Sequence, residues 1–286
     1  MAFPKAWHGR NGFPNAVADT DFDMKIATWN INGIKARQEN LVRWLEMASP
    51  DIVCLQEIKS VDENFPTAPF QDLGYHVETH GQKGFNGVAL LSKKAPEDVQ
   101  RGFSDGHDDD QSRYIEGVFS VKGGVIRVAS IYLPNGNPVD TPKYPYKLAW
   151  MERLKTLAQK RLDLEEPLVL AGDYNVIPRP CDCHDPAVWA GDALFLPQTR
   201  EAFSELLGLG LYDAVAGADE AGGQYTFWDY QAGAWQKNNG IRIDHMLLSA
   251  EAADRLVATS IDKSVRSWEK PSDHVPVICQ FECAWT

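Results

Sequence analysis

From Met24 onward, short apolar runs alternate with clusters of Gly, Pro, Asn and Asp. The runs at 25–29, 51–56, 75–79, 88–91, 114–121, 125–133, 168–172, 242–248 and 275–281 are bounded by turn formers, which predicts strands. Two longer stretches place apolar residues at helical spacing: Leu41, Trp44, Leu45 and Ala48, then Leu148, Met151, Leu154, Ala158 and Leu162. Each predicts a helix with one face on a core. The Gly123-Gly124 pair between two runs predicts a hairpin. Helices follow strands irregularly, so a mixed or antiparallel sheet is expected rather than a doubly wound one. No Walker or Rossmann phosphate loop follows a strand, and no internal repeat is found. Residues 1–23 carry no apolar period and are expected to form a loose tail, leaving 24–286 as one domain.

Composition changes this picture little. With 44% hydrophobic and 24% charged residues, wholesale disorder is excluded. No apolar run approaches the roughly 18 to 20 residues that span a bilayer, and the first thirty residues lack a signal peptide's apolar core. A soluble, cytoplasmic protein with no membrane partner is expected. Charge matters more: 28 basic against 40 acidic residues give −12, which argues against coating nucleic acid by bulk electrostatics and leaves only a local groove. The run from Asp108 to Asp110 reads as a solvated face. The five cysteines are scattered and read as reduced thiols, and Cys181, Cys183 and His184 lack zinc-site spacing, so they read as a surface loop.

The chemistry lies where strands stop. WNINGI (29–34), LQEIK (55–59), IYLPN (131–135) and LAGDYN (170–175) each carry an apolar strand into oxygen-bearing side chains, and RIDH (242–245) and SDH (272–274) follow. Strands sharing one sheet edge would bring these groups into one cleft. Singly, each has a bland reading as a cap, a loop-satisfying amide or a half-buried tyrosine.

Together, in order and spelling, they resemble the exonuclease III family of the endonuclease, exonuclease and phosphatase superfamily. The most specific stretches are WNINGI, LQEIK, GDYNV, YTFWDYQAGAWQKNNGIRIDHMLLS (225–249) and EKPSDHVPV (269–277), and the resemblance spans 24–283. Bacterial members look closest, because Asn32 stands where mammalian relatives have an aspartate. The resemblance implies an α/β fold, a four-layer α/β sandwich of two packed mixed β-sheets flanked by helices. It implies a monomer that cuts double-stranded DNA 5′ to abasic sites, clears blocked 3′ ends and digests duplex DNA from 3′ to 5′. Mg²⁺ is the implied cofactor, with Mn²⁺ able to substitute.

Carried over position by position, the resemblance makes Glu57 a metal ligand, with Asn32 and Asp273 as inner-shell or water-mediated ligands. Asp173 takes the proton from the attacking water, and Asn30 and Asn175 position it and the phosphate. His274, oriented by Asp244, meets a phosphate oxygen, and Tyr132 binds the phosphate or aids the leaving group. The group that protonates the leaving oxygen stays open. His245 faces away along the strand and reads as structural. Lys59 is assigned to phosphate or metal-site electrostatics.

DNA contact is expected from loops: Gln82, Lys83, Phe85 and Asn86; Asn135; and the 228–242 segment with Trp228, Trp235, Lys237, Asn238, Asn239 and Arg242. The family's pocket for the baseless sugar maps to Phe227, Ile241 and Ile243, with Ile241 where mammalian relatives have tryptophan. Two other readings compete, a phosphodiesterase acting on RNA or a phosphoinositide and a non-catalytic nucleic-acid-binding module. The YTFW and GIRID segments favour DNA repair over the first, and the full set of acids argues against the second.

Overall fold

The computed structural model describes residues 23–107 and 109–286. In chain order the elements are β1 (Asp23–Asn30), α1 (Ile34–Ala48), β2 (Ile52–Gln56), α2 (Ala68–Asp72), β3 (His76–His80), β4 (Val88–Ser92), β5 (Asp98–Arg101), β6 (Tyr114–Val121), β7 (Gly124–Tyr132), α3 (Lys143–Leu162) and β8 (Leu168–Asp173). There follow α4 (Pro186–Trp189), α5 (Pro197–Leu207), β9 (Tyr212–Asp213), α6 (Ala214–Ala218), α7 (Ala234–Lys237), β10 (Asp244–Leu248), α8 (Ala250–Ala253), β11 (Leu256–Ile261) and β12 (Val277–Glu282). The expected loose tail lies outside the described residues except for Asp23, whose backbone already belongs to β1. No helix among the described residues is long and apolar enough to cross a membrane.

Two six-stranded sheets form, in the orders β11-β12-β1-β2-β4-β3 and β5-β6-β7-β8-β10-β9. Each has one parallel pair: β1 with β2, connected through α1, and β7 with β8, connected through α3. Both connections are long enough for a helical crossover, as parallel pairing requires. The remaining pairs are antiparallel, so the sheets are mixed.

Side-chain alternation builds four layers. Ile26, Cys54 and Leu90 face Val128, Val169 and Met246 between the sheets, in a shared buried cluster. Their neighbours Ala27, Val53 and Leu55 face outward onto Leu41, Trp44 and Leu45 of α1. On the far side Ala129, Ile131 and Leu170 pack under Trp150, Met151 and Leu154 of α3 and Phe203 of α5. The hairpin differs by one residue from expectation: Val121 pairs with Gly124, so Lys122-Gly123 makes the turn and Gly124 opens β7.

Candidate active site

The topology explains why the polar strand ends meet. β1, β2, β7 and β8 run the same way within their parallel pairs, so Asn30, Gln56, Tyr132 and Asp173 are exits. The antiparallel partners begin where these end: Asp244 opens β10 opposite Asp173, and His274 precedes β12 beside β1. The backbone beyond these exits is unusual. Asn32, Glu57, Lys59, Asn86 and Asn175 all hold left-handed conformations, with φ between 48° and 57°. Each such non-glycine residue costs on the order of 1–3 kcal/mol and persists only where its surroundings over-determine it.

At the centre, one Asn30 amide nitrogen donates to Glu57 Oε1 and to Asp173 Oδ2, each at 2.9 Å. The other Asp173 oxygen accepts the Asn175 backbone N–H at 2.9 Å. His274 Nδ1 lies 2.8 Å from Asp244 Oδ2, and its Nε2 lies 3.7 Å from Asp173 Oδ2. Asp173, Asp244 and His274 are all buried.

Electrostatics follow from that crowding. Burial alone would lower the His274 pKa, but the carboxylates of Asp244 and Asp173 outweigh it and hold the imidazole protonated, above its ordinary range. Burial lifts Asp173 well above the usual carboxylate range, helped by Asp244 and opposed by His274, Asn30 and the Asn175 N–H. Glu57 goes the other way: burial raises it, yet Asn30, Lys59 and His274 together bring it below normal. Burial, then the charges of Glu57 and Asp173, keep the Tyr132 phenol protonated.

Glu57, Asp173 and His274 bring ligand atoms within 4.8 Å of one another. The carboxylate and amide oxygens gathered here, on Glu57, Asp173, Asn32 and Asp273, are the donor type a hard cation prefers. They fit a hard divalent ion: two carboxylates share one amide donor, and the buried Asp244 Oδ1 has no protein partner. Asn32 and Asp273 sit at the rim, joined by a 3.0 Å hydrogen bond from the Asn32 amide nitrogen. The Lys59 ammonium lies 3.0 Å from Glu57 Oε2 and 2.5 Å from Asn32 Oδ1, so it bridges two of the expected ligands.

The loop residues divide. Lys83, Phe85, Asn135, Asn238 and Asn239 are exposed, Phe85 at 75%. Phe227 packs its ring 4.9 Å from the His274 ring and against Ile241 and Ile243, which are 1% and 2% exposed. Three assignments to DNA are corrected. Arg242 is 1% exposed and clasped by Asp182 and Asp213 at 2.9 and 2.7 Å, so it cannot meet a phosphate. Trp228 is buried, edge-on to Trp235, and its indole donates to Asn238 Oδ1 at 3.1 Å, anchoring the loop from below. Asn86 is buried and spends its amide on Gln82 and Gln111.

His245 is fully buried between Arg242 and the Val176 carbonyl, as a structural histidine should be. Cys183 is buried beside Ile241 rather than in a surface loop, while Cys181 is exposed. In the acidic run, Asp108 lies outside the described residues, and Asp109 is no free surface charge: it accepts from Arg153 and from the Tyr146 hydroxyl.

Several residues at the site escaped the sequence reading. Tyr230 accepts from Arg37 Nη2 at 3.1 Å and donates to the Pro271 carbonyl at 2.8 Å, with Arg266 over its ring. Lys147 lies buried under the loops after β7 and β8. Tyr230 stands inside the quoted 225–249 segment, but nothing in the local pattern distinguishes Arg37 or Lys147 from surface cations.

Comparison with known proteins agrees with this geometry. The Endonuclease/Exonuclease/phosphatase family model matches residues 27–274. Exodeoxyribonuclease III of Haemophilus influenzae is 36% identical over 267 residues, covering 91% of this chain and all of the relative. The DNA repair nuclease APEX1 of Danio rerio is 31% identical, covering 89% of this chain and 81% of that protein. Among solved structures, a Neisseria 3′-phosphatase, NExo, bound to a product DNA hairpin superimposes with a TM-score of 0.86 at 38% identity, over 90% of this chain and 99% of its own. An AP endonuclease from Archaeoglobus fulgidus gives 0.84 at 39% identity, with the same two coverages.

Proposed function

Because the chain belongs to the Endonuclease/Exonuclease/phosphatase family, we propose that it is a DNA-repair nuclease, a metal-dependent hydrolase of phosphodiester bonds. Its activities are abasic-site incision, 3′-end processing and 3′-5′ exonuclease action on duplex DNA. The observation that carries this reading is the meeting of Glu57 and Asp173 on one Asn30 amide beside the Asp244–His274 pair. The substrates we assign are duplexes with abasic sites or blocked 3′ ends. We assign it as a monomer working in the cytoplasm, a setting in which its five free thiols would stay reduced.

Glu57, with Asn32 and Asp273 beside it, would hold Mg²⁺, or Mn²⁺ in its place. A bound divalent ion supplies charge neutralisation at an anionic phosphodiester that otherwise repels its nucleophile. Asp173 accepts the proton of the attacking water, held in place by Asn30 and by the Asn175 N–H. His274, kept protonated by its carboxylates, presents Nε2–H to a phosphate oxygen, and Asp244 fixes its orientation. Tyr132 stays a proton donor at the edge of the cleft. DNA is gripped from loops carrying Lys83, Phe85, Asn135 and the exposed part of 229–239.

A duplex with one abasic-site analogue and a labelled 5′ end tests the proposal. Incision with Mg²⁺ and none in excess EDTA is expected. Undiminished cutting in EDTA would refute the metal dependence, and intact duplex with every divalent ion would refute the nuclease.

A further inference from the structure

A cation that the scheme above leaves unused lies under the catalytic loops. Lys147, in the second turn of α3, has 0% exposure. Its ammonium donates to the Asn175 carbonyl at 2.6 Å and the Asn135 carbonyl at 3.1 Å, and it forms no ion pair among the described residues. Burying an ammonium group without a carboxylate partner carries a penalty of several kcal/mol. Packing alone does not account for a lysine here, because a methionine would fill the same space without that penalty.

What the lysine touches is specific. Asn135 follows β7 and Asn175 follows β8, and the two side chains are themselves joined, Asn135 Nδ2 to Asn175 Oδ1 at 3.1 Å. Asn175 is left-handed at φ 49°; its N–H grips Asp173 and its amide nitrogen donates to the Leu133 carbonyl at 2.9 Å. The loop is also shaped to the lysine: a Cβ on Gly136 would fall 2.7 Å from Lys147 Cδ. Burial draws the ammonium's pKa down to about 7, against the opposing charges of Asp173 and Asp192.

We propose that Lys147 is a positioning residue for the hydrolysis, tying the β7 and β8 exits together so that Asn175 keeps the strained backbone that orients Asp173. The inference rests on the nuclease reading given above. The chemistry it serves is geometric: a carboxylate base displaced by about 1 Å loses on the order of 10²-fold in rate, while of the residues proposed to hold DNA, Lys83, Phe85 and the exposed part of 229–239 lie on other loops, and Asn135 gives Lys147 its backbone carbonyl rather than its side chain.

The test is Lys147→Met, which keeps length and apolar packing but removes the donors. Single-turnover incision of the abasic duplex should fall by about 10²-fold, with the dissociation constant for the same duplex within about twofold. In metal-free protein, the backbone amide resonances of Asn135 and Asn175 should move while those of β11 stay put. A variant that cuts within about threefold of wild type would overturn the proposal. Parallel loss of rate, DNA affinity and melting temperature would overturn it too, since it would make the lysine a stabiliser only. If Lys147→Met does not fold, Lys147→Gln, which keeps a polar head but is one bond too short to hold both carbonyls as the ammonium does, carries the same comparison; failure of both to fold would make the lysine a folding residue and refute the positioning role. A wild type that never cuts with any divalent ion would defeat the nuclease reading instead, and the amide resonances would still decide whether Lys147 holds the loop.

Discussion

A guanidinium with 1% exposure between two carboxylates behaves unlike the surface arginine its sequence context suggests. Arg242 reads as a DNA contact because its partners, Asp182 and Asp213, stand 60 and 29 residues away in the chain. No local pattern announces such a pairing, whereas Asn30, Glu57, Asp173, Asp244 and His274 were legible because each ends or begins an apolar run. Lys147 was missed for the complementary reason: one polar residue beside an apolar helical stripe reads as solvent-facing. Removing the guanidinium with Arg242→Met should leave the buried Asp213 carboxylate without its cation, while Asp182 keeps Arg179, and lower stability by about 3–5 kcal/mol, without changing the salt dependence of DNA binding. Denaturant melts and binding titrations over a salt series check both parts. The same cluster sets an acid limit. Burial raises the Asp213 pKa, but the charge of Arg242 and the contact with His245 overcome this and hold it far below the ordinary carboxylate range. A carboxyl depressed on folding contributes its stability above the unfolded value, about 3.9, and loses it as pH falls toward the folded one. Stability of the wild type should therefore show a decline below about pH 4 that is shallower in Arg242→Met; identical acid profiles would remove the cluster from the account.

At the scale of elements, the interior strands and the edge strand β3 were readable, and the other three edges were not. β5, β9 and β11 lie at sheet edges and went unassigned, because a strand buried on few sides needs no apolar run: β5 is Asp-Val-Gln-Arg and β9 has two residues. α5 was likewise overlooked, its buried face being only Thr199, Phe203 and Leu206. The interior pair β7–β8 makes the sharpest demand on one residue. Gly172 pairs with Ile131, and a Cβ there would sit 1.9 Å from the Ile131 carbonyl oxygen. The next pair in register is Tyr132 with Asp173. Gly172→Ala should force the strands apart, cost about 3 kcal/mol and slow incision by displacing Asp173 from its neighbours. A melting temperature equal to wild type would show that the sheet accommodates the methyl group.

For the whole molecule, the apolar runs and helical stripes predicted a mixed sheet with helices packed on a core, and the family resemblance supplied the four-layer arrangement that the structure shows. What strand patterns alone could not supply is convergence: six motifs up to 245 residues apart meet because two parallel crossovers send their strand ends to one edge and antiparallel partners start there. In the proposed reaction a chain of net charge −12 brings a carboxylate base, Asp173, to an anionic backbone, so the fate of that one carboxylate decides the proposal. Asp173→Asn keeps shape and removes the base. Single-turnover incision of the abasic duplex with Mg²⁺, measured beside equilibrium binding of the same duplex at fixed salt, should show a rate lower by roughly 10²–10⁴-fold with affinity equal or tighter, since a negative charge near the phosphate is gone. Normal binding with cutting at the wild-type rate would contradict it, because Asp173 would then not be the base.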